Sequence, residues 1–129
     1  MIEAGETDVA IDELRWLLTD CSDFIDAHRL LGEMAVEDED WPLARGHLGY
    51  CYDIANAALA NAGAKGPLPH EREANRGLLS ATFLFAGVLC RMEKEKTAKA
   101  VLRQLLEWDP GDSLGAADAL AELERPPGQ

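Results

Sequence analysis

Leu31-Gly32-Glu33-Met34-Ala35, followed by Ala44, Leu48 and Cys51, returns later in the chain as Phe85-Ala86-Gly87-Val88-Leu89, followed by Ala98, Leu102 and Leu105. The two sets lie 54 positions apart, Leu31 to Phe85, and every offset within them agrees. A fixed internal period is the signature of stacked supersecondary units, and it decides the fold before any local propensity does. The small residues Gly32/Ala86 and Ala44/Ala98 let two antiparallel helices approach closely. The larger residues fill the seam beside them.

Outward from these stretches, apolar residues recur at helical spacing, and no segment alternates as a half-buried strand would. Val9, Ala10, Leu14, Leu17 and Leu18 give a first helix one apolar face, opened by Thr7 or Asp8. A second helix is expected from about Asp23 to Glu37, with Phe24, Ala27, Leu30, Leu31, Met34 and Ala35 inside. Glu37-Asp38-Glu39-Asp40 turns the chain. Asp40 then caps a third helix, and Pro42 sits in its first turn, where a missing N–H costs little. That helix runs from Trp41 to about Ala60, with Leu43, Ala44, His47, Leu48, Cys51, Ile54, Ala55 and Ala58 on its apolar face. Gly46 and Gly49 lie inside it. Each weakens a helix by roughly 1 kcal/mol relative to Ala, so close contacts are expected at both.

Asn61 to Leu68 reads as a loop, and Pro69 opens a fourth helix that runs to about Met92. Glu93-Lys94-Glu95-Lys96 holds a tight turn. The fifth helix spans about Thr97 to Trp108. A sixth starts near Asp112 or Ser113 and ends by Glu124, with Leu114, Ala117, Leu120 and Leu123 on one stripe. Its outer face, Asp118, Glu122 and Glu124, is polar. The expected organisation is one helical domain over residues 1–124 and a flexible C-terminal tail over 125–129.

The repeated pattern resembles the tetratricopeptide repeat, whose consensus is W-x2-L-G-x2-Y, then A-x3-F, then a Pro after the second helix. Leu105-Leu106-Glu107-Trp108-Asp109-Pro110 is especially similar to the close of such a repeat, and the resemblance covers roughly Ile25 to Pro110. It implies an all-α fold of antiparallel helix pairs, stacked as a short right-handed superhelix. The sixth helix would cap that stack. Three departures stand out. The 54-residue spacing exceeds the family's roughly 34, and the surplus falls in the third and fourth helices and their loop, so long helices are expected there. The first helix matches only the second half of a repeat, through Ala10, Leu14 and Leu17. The consensus Trp position holds His28 and Thr82.

Composition narrows the function. The 129-residue chain is 47% hydrophobic and carries a formal net charge of −12. Nucleic acid and anionic membrane surfaces repel such a charge, because both are bound through Lys and Arg. A basic protein or peptide is attracted instead, in a salt-dependent way. Met1 to Asp12 lacks the charged-then-apolar layout of a signal segment, and the three cysteines, Cys21, Cys51 and Cys90, form no CxxC pair. A cytoplasmic protein with buried free thiols is expected.

No phosphate-binding loop, GxSxG elbow, HExxH or EExxH pattern occurs, and the expectation is a protein that is not an enzyme and carries no cofactor or metal. His28 and His47 come close across the second and third helices, with Cys51 one turn beyond His47. A zinc site is one use of that set. Two partly buried histidines hydrogen-bonded in a helix seam is the plainer one. The Glu37–Asp40 run lacks the Gly and distal Glu of a calcium loop and reads as a solvated turn.

What remains is surface. The resemblance implies a concave groove lined by the first helix of each pair, which puts Asp26, Arg29, Glu33 and Val36 beside Ser80 and Phe83, with Gly87 and Cys90 further along and Arg91 at the rim. Arg29, Glu33 and Phe83 suit a peptide with one apolar anchor and some charge. Self-assembly into a homodimer through the unpartnered first helix, with Trp16 or Trp41, is the alternative.

Overall fold

The computed structural model describes residues 25–61 and 73–125. All regular structure among them is α-helical. The helices are α1 (residues 25–37), α2 (Trp41–Asn61), α3 (Glu73–Arg91), α4 (Glu95–Trp108) and α5 (Ala116–Glu124). The expected first helix, and Pro69 as opener of the fourth, lie outside the described residues. α2 packs on α3, α3 on α4, and α4 on α5, so the chain forms an all-α array of consecutive neighbours. At 21 and 19 residues, α2 and α3 are long beside α4 at 14, as the surplus in the repeat spacing requires.

α1 and α2 form one antiparallel pair, α3 and α4 the next. The chain reverses between the members of each pair by the same turn. After α1, the N–H of Asp40 donates to the carbonyl of Ala35 at 2.8 Å and that of Glu39 to Val36 at 3.0 Å. After α3, Lys94 donates to Leu89 at 2.8 Å and Glu93 to Cys90 at 3.1 Å. These are the paired 6→1 and 5→2 bonds of a Schellman motif. Its left-handed residue is Glu39 (φ 57°) in one turn and Glu93 (φ 61°) in the other, 54 positions on. The backbone thus repeats the period found in the side chains, and the molecule is a helical bundle consistent with a repeat.

The core runs along the seams. Ala44, Leu48, Cys51 and Ala55 of α2 are fully buried, as are Leu89 of α3 and Ala98, Leu102 and Leu105 of α4. Gly32 is buried against Leu48 so closely that a Cβ there would lie 2.6 Å from the Leu48 side chain. Gly49 faces Phe85 of α3, whose ring would stand 3.3 Å from an added Cβ. Gly46 has nothing within 4 Å, so only one of these two helical glycines answers to a close contact.

Several local expectations need correction. Leu30, Leu31 and Met34, expected inside, are exposed, as are Ala27 and Leu43. α4 begins at Glu95 rather than Thr97, because the Schellman turn closes at Lys94. The last helix begins at Ala116, later than Asp112 or Ser113. Asp112 nonetheless holds its start: its carboxylate accepts the N–H of Ala116 at 2.6 Å and of Ala117 at 3.1 Å. Ala116 is the buried residue there and Ala117 faces outward. The buried Asp109 is satisfied by the backbone N–H and hydroxyl of Ser113, at 3.0 and 2.7 Å. Asp40 meets its expected capping role, accepting the N–H of Leu43 at 3.3 Å. Arg125, assigned to the tail, pairs with Glu122 at 2.7 Å.

Candidate functional site

The groove residues assigned by sequence fall into three groups, with Arg91 apart from them. Asp26, Arg29 and Glu33 form one cluster on α1, spaced so that all three share a helix face. The Arg29 guanidinium donates to Glu33 Oε1 at 2.8 Å and pairs with Asp26 Oδ1 at 3.6 Å. Both carboxylates stay substantially exposed, so each pair contributes only a few tenths of a kcal/mol. Val36 and Phe83 form the second group. Each is half-buried and packs on the core with part of its surface free. Ser80 and Gly87 are exposed on α3. Arg91 stands apart, its guanidinium 5.4 Å from the ring centre of Trp41 in a cation–π contact between the end of α3 and the start of α2.

α1 and α3 lie side by side. A Cβ on Gly77 would meet Asp26 Oδ1 at 3.4 Å and Arg29 Nε at 3.6 Å. The small residue on α3 lets the two helices close on the charged cluster. Arg29 Nε is buried there without an acceptor, and a buried donor left unsatisfied costs about 1–3 kcal/mol.

The histidines meet as expected. His28 Nδ1 and His47 Nδ1 are 3.0 Å apart, which requires one Nδ1 to carry a proton and the other to accept it. The rings of Tyr50 and His28 meet in a T-shaped, edge-on contact, with centres 4.5 Å apart. Cys51 turns away from them. Its thiol donates to the carbonyl of Ile25 at 3.3 Å, and burial pushes its pKa up to about 11. No group of three metal-ligating side chains gathers among the described residues. Cys90 is half-buried, and burial, reinforced by Glu95, raises its pKa too. Cys21 lies outside the described residues.

A second surface was not read from the sequence. Leu30, Leu31 and Met34 on α1, with Leu43 and Tyr50 on α2, are the exposed large apolar side chains of the described residues. Their helical spacing is that of core residues. Only the geometry of what does or does not lie against them separates the two cases. No helix among the described residues is long and apolar enough to cross a membrane. No protein-family model, curated protein or solved structure matches the chain.

Proposed function

We propose that this chain is a protein-interaction module of tetratricopeptide type, its helix pairs stacked in a short right-handed superhelix, rather than an enzyme. The observation that carries the reading is the placement of α1 beside α3. It sets Asp26 and Arg29 of the mixed-charge cluster on the first helix of one pair against the first helix of the next, with Glu33 held to Arg29 beside them. That is the surface on which such repeats hold peptide. Val36 and Phe83 offer apolar footing, and Ser80 leaves open room.

The partner is a protein or peptide with an apolar anchor next to a basic side chain. Asp26 and Glu33 supply two acceptors for that base, and Arg29 neutralises only one charge between them. The net charge of −12 steers a basic partner toward the molecule. A cytoplasmic setting suits its unpaired, shielded Cys51.

The test fills the groove without touching the core. Ser80→Trp adds bulk at an exposed position, and Arg29→Ala removes the central cation. Partners captured from native lysate by the parent chain at low salt should be lost from Ser80→Trp and reduced with Arg29→Ala, at unchanged melting temperature. They should also weaken at high salt. The same partners retained by Ser80→Trp would place binding elsewhere and remove the groove.

A further inference from the structure

The two helix pairs are the same unit twice, so the way one face is used in the second unit tells what its counterpart is shaped for in the first. On α3, Ala81, Thr82, Phe85 and Val88 are buried; Phe85 is 7% exposed and Val88 2%. α2, the helix that directly precedes α3, packs on α3 and covers Phe85 of this face. The Phe85 ring lies against Gly49, and the Tyr52 ring stands 5.6 Å from it, centre to centre. The counterparts on α1, 54 positions earlier, are Ala27, His28, Leu31 and Met34. Here Leu31 is 44% exposed and Met34 60%. The same apolar spacing is sealed in one unit and open in the other.

We propose that this open face of α1, flanked by Leu43 and Tyr50 of α2, is the seat of the chain's own residues 8–20. Three observations select that occupant. The matching face on α3 is covered by the helix directly preceding it, and residues 8–20 directly precede α1. Ala10, Leu14 and Leu17 repeat Ala44, Leu48 and Cys51 of α2 at a spacing of 34, which makes the segment the counterpart of α2, although Leu48 and Cys51 of this set face α1 rather than α3. The seat also lies within a few residues of where the segment joins α1. A short tether gives an effective concentration in the millimolar range, so the segment outcompetes a second copy of the chain at any ordinary protein concentration.

The correspondence fixes a register. Tyr52, which meets Phe85, corresponds to Leu18, and Phe85 corresponds to Leu31. The proposal therefore pairs Leu18 with Leu31. The groove between α1 and α3 lies on other residues, so this inference stands apart from the proposed peptide site.

The test traps that pair. Leu18→Cys and Leu31→Cys are combined with Cys21→Ser and Cys90→Ser, and the full chain is oxidised with oxidised glutathione. The control joins Leu18→Cys to Ser80→Cys, on the groove side of α3. An intrachain disulfide is expected for the 18–31 pair, at a rate independent of protein concentration and about tenfold or more above the control. Disulfide-linked dimers that increase with concentration would assign the face to a second copy and overturn the proposal, and so would a rate no higher than the control. Hydrogen exchange guards against a misfolded variant. Amides of residues 9–20 should exchange about tenfold or more faster in Leu31→Asp than in the parent chain, while those of α4 keep their protection. Equal exchange of residues 9–20 in the two chains would also overturn it.

Discussion

The pair α1/α2 and the pair α3/α4 share a turn, a period and a seam, yet they solve the same packing problem with different residues. The second pair fills its seam with hydrocarbon: Leu89, Val101, Leu102 and Leu105 are all buried. Where it has Leu89, Val101 and Leu105, the first has Ala35, His47 and Cys51. The first pair therefore brings its helices together over smaller side chains, and it spans the rest of the seam with a histidine hydrogen bond. At the position where the family consensus has Trp, the second pair holds a buried Thr82, whose hydroxyl returns to the Leu78 carbonyl at 2.8 Å. The first holds His28. One backbone plan thus tolerates a dry seam and a polar one, provided each polar group finds a partner.

The largest expected difference lies between Phe85 and Leu31. Phe85→Ala empties a filled site and should cost about 3–5 kcal/mol. Leu31→Ala should cost about 2 kcal/mol if residues 8–20 cover it, and close to nothing in a Leu18→Asp background. Chemical denaturation of the two single variants and the double variant measures the coupling. Equal costs of Leu31→Ala in both backgrounds would leave the face of α1 uncovered and the two pairs unlike at their back faces.

Much of the fold was legible in the sequence. The period, the helix pairs and the capping Asp40 follow from residue spacing and from where small side chains recur. Leu30, Leu31 and Met34, expected inside, stand exposed among the described residues, because spacing reports that a face is apolar and does not report what lies against it. The charged runs Glu37–Asp40 and Glu93–Lys96 marked where the turns fall but not their left-handed geometry. Their left-handed residues are Glu39 and Glu93, where Gly would have marked the position. In the candidate site, the residues of α1 and α3 could be assigned by position in the repeat. The pairing of Arg29 with its own neighbours, and of Arg91 with Trp41, depends on rotamers that spacing does not encode.

A middle-sized effect separates the close seam from the loose one. Gly32→Ala drives a Cβ to within 2.6 Å of Leu48, which is fully buried and has nowhere to swing. It should destabilise by about 1–3 kcal/mol. Its counterpart already is Ala86, so the second pair accommodates what the first cannot. Gly46→Ala meets no atom within 4 Å and should stabilise by about 1 kcal/mol. Thermal unfolding that moved both variants in the same direction would show that the close approach at Gly32 does not set the spacing of α1 and α2.

The smallest effect tests how far the two pairs are alike. Glu39 and Glu93 hold positive φ at matching positions of matching turns, and a non-glycine residue in that conformation carries a penalty of about 1 kcal/mol. Glycine removes the penalty and returns some of the gain through a looser unfolded chain. Glu39→Gly and Glu93→Gly should therefore each stabilise by about 0.5–1 kcal/mol, and by the same amount, because the backbone bonds that define the two turns agree to within 0.1 Å. A gain at Glu93 with none at Glu39 would mean that the first turn relaxes in solution. The equivalence of the two pairs, on which the covering of α1 depends, would then fail at the joint where it is most regular.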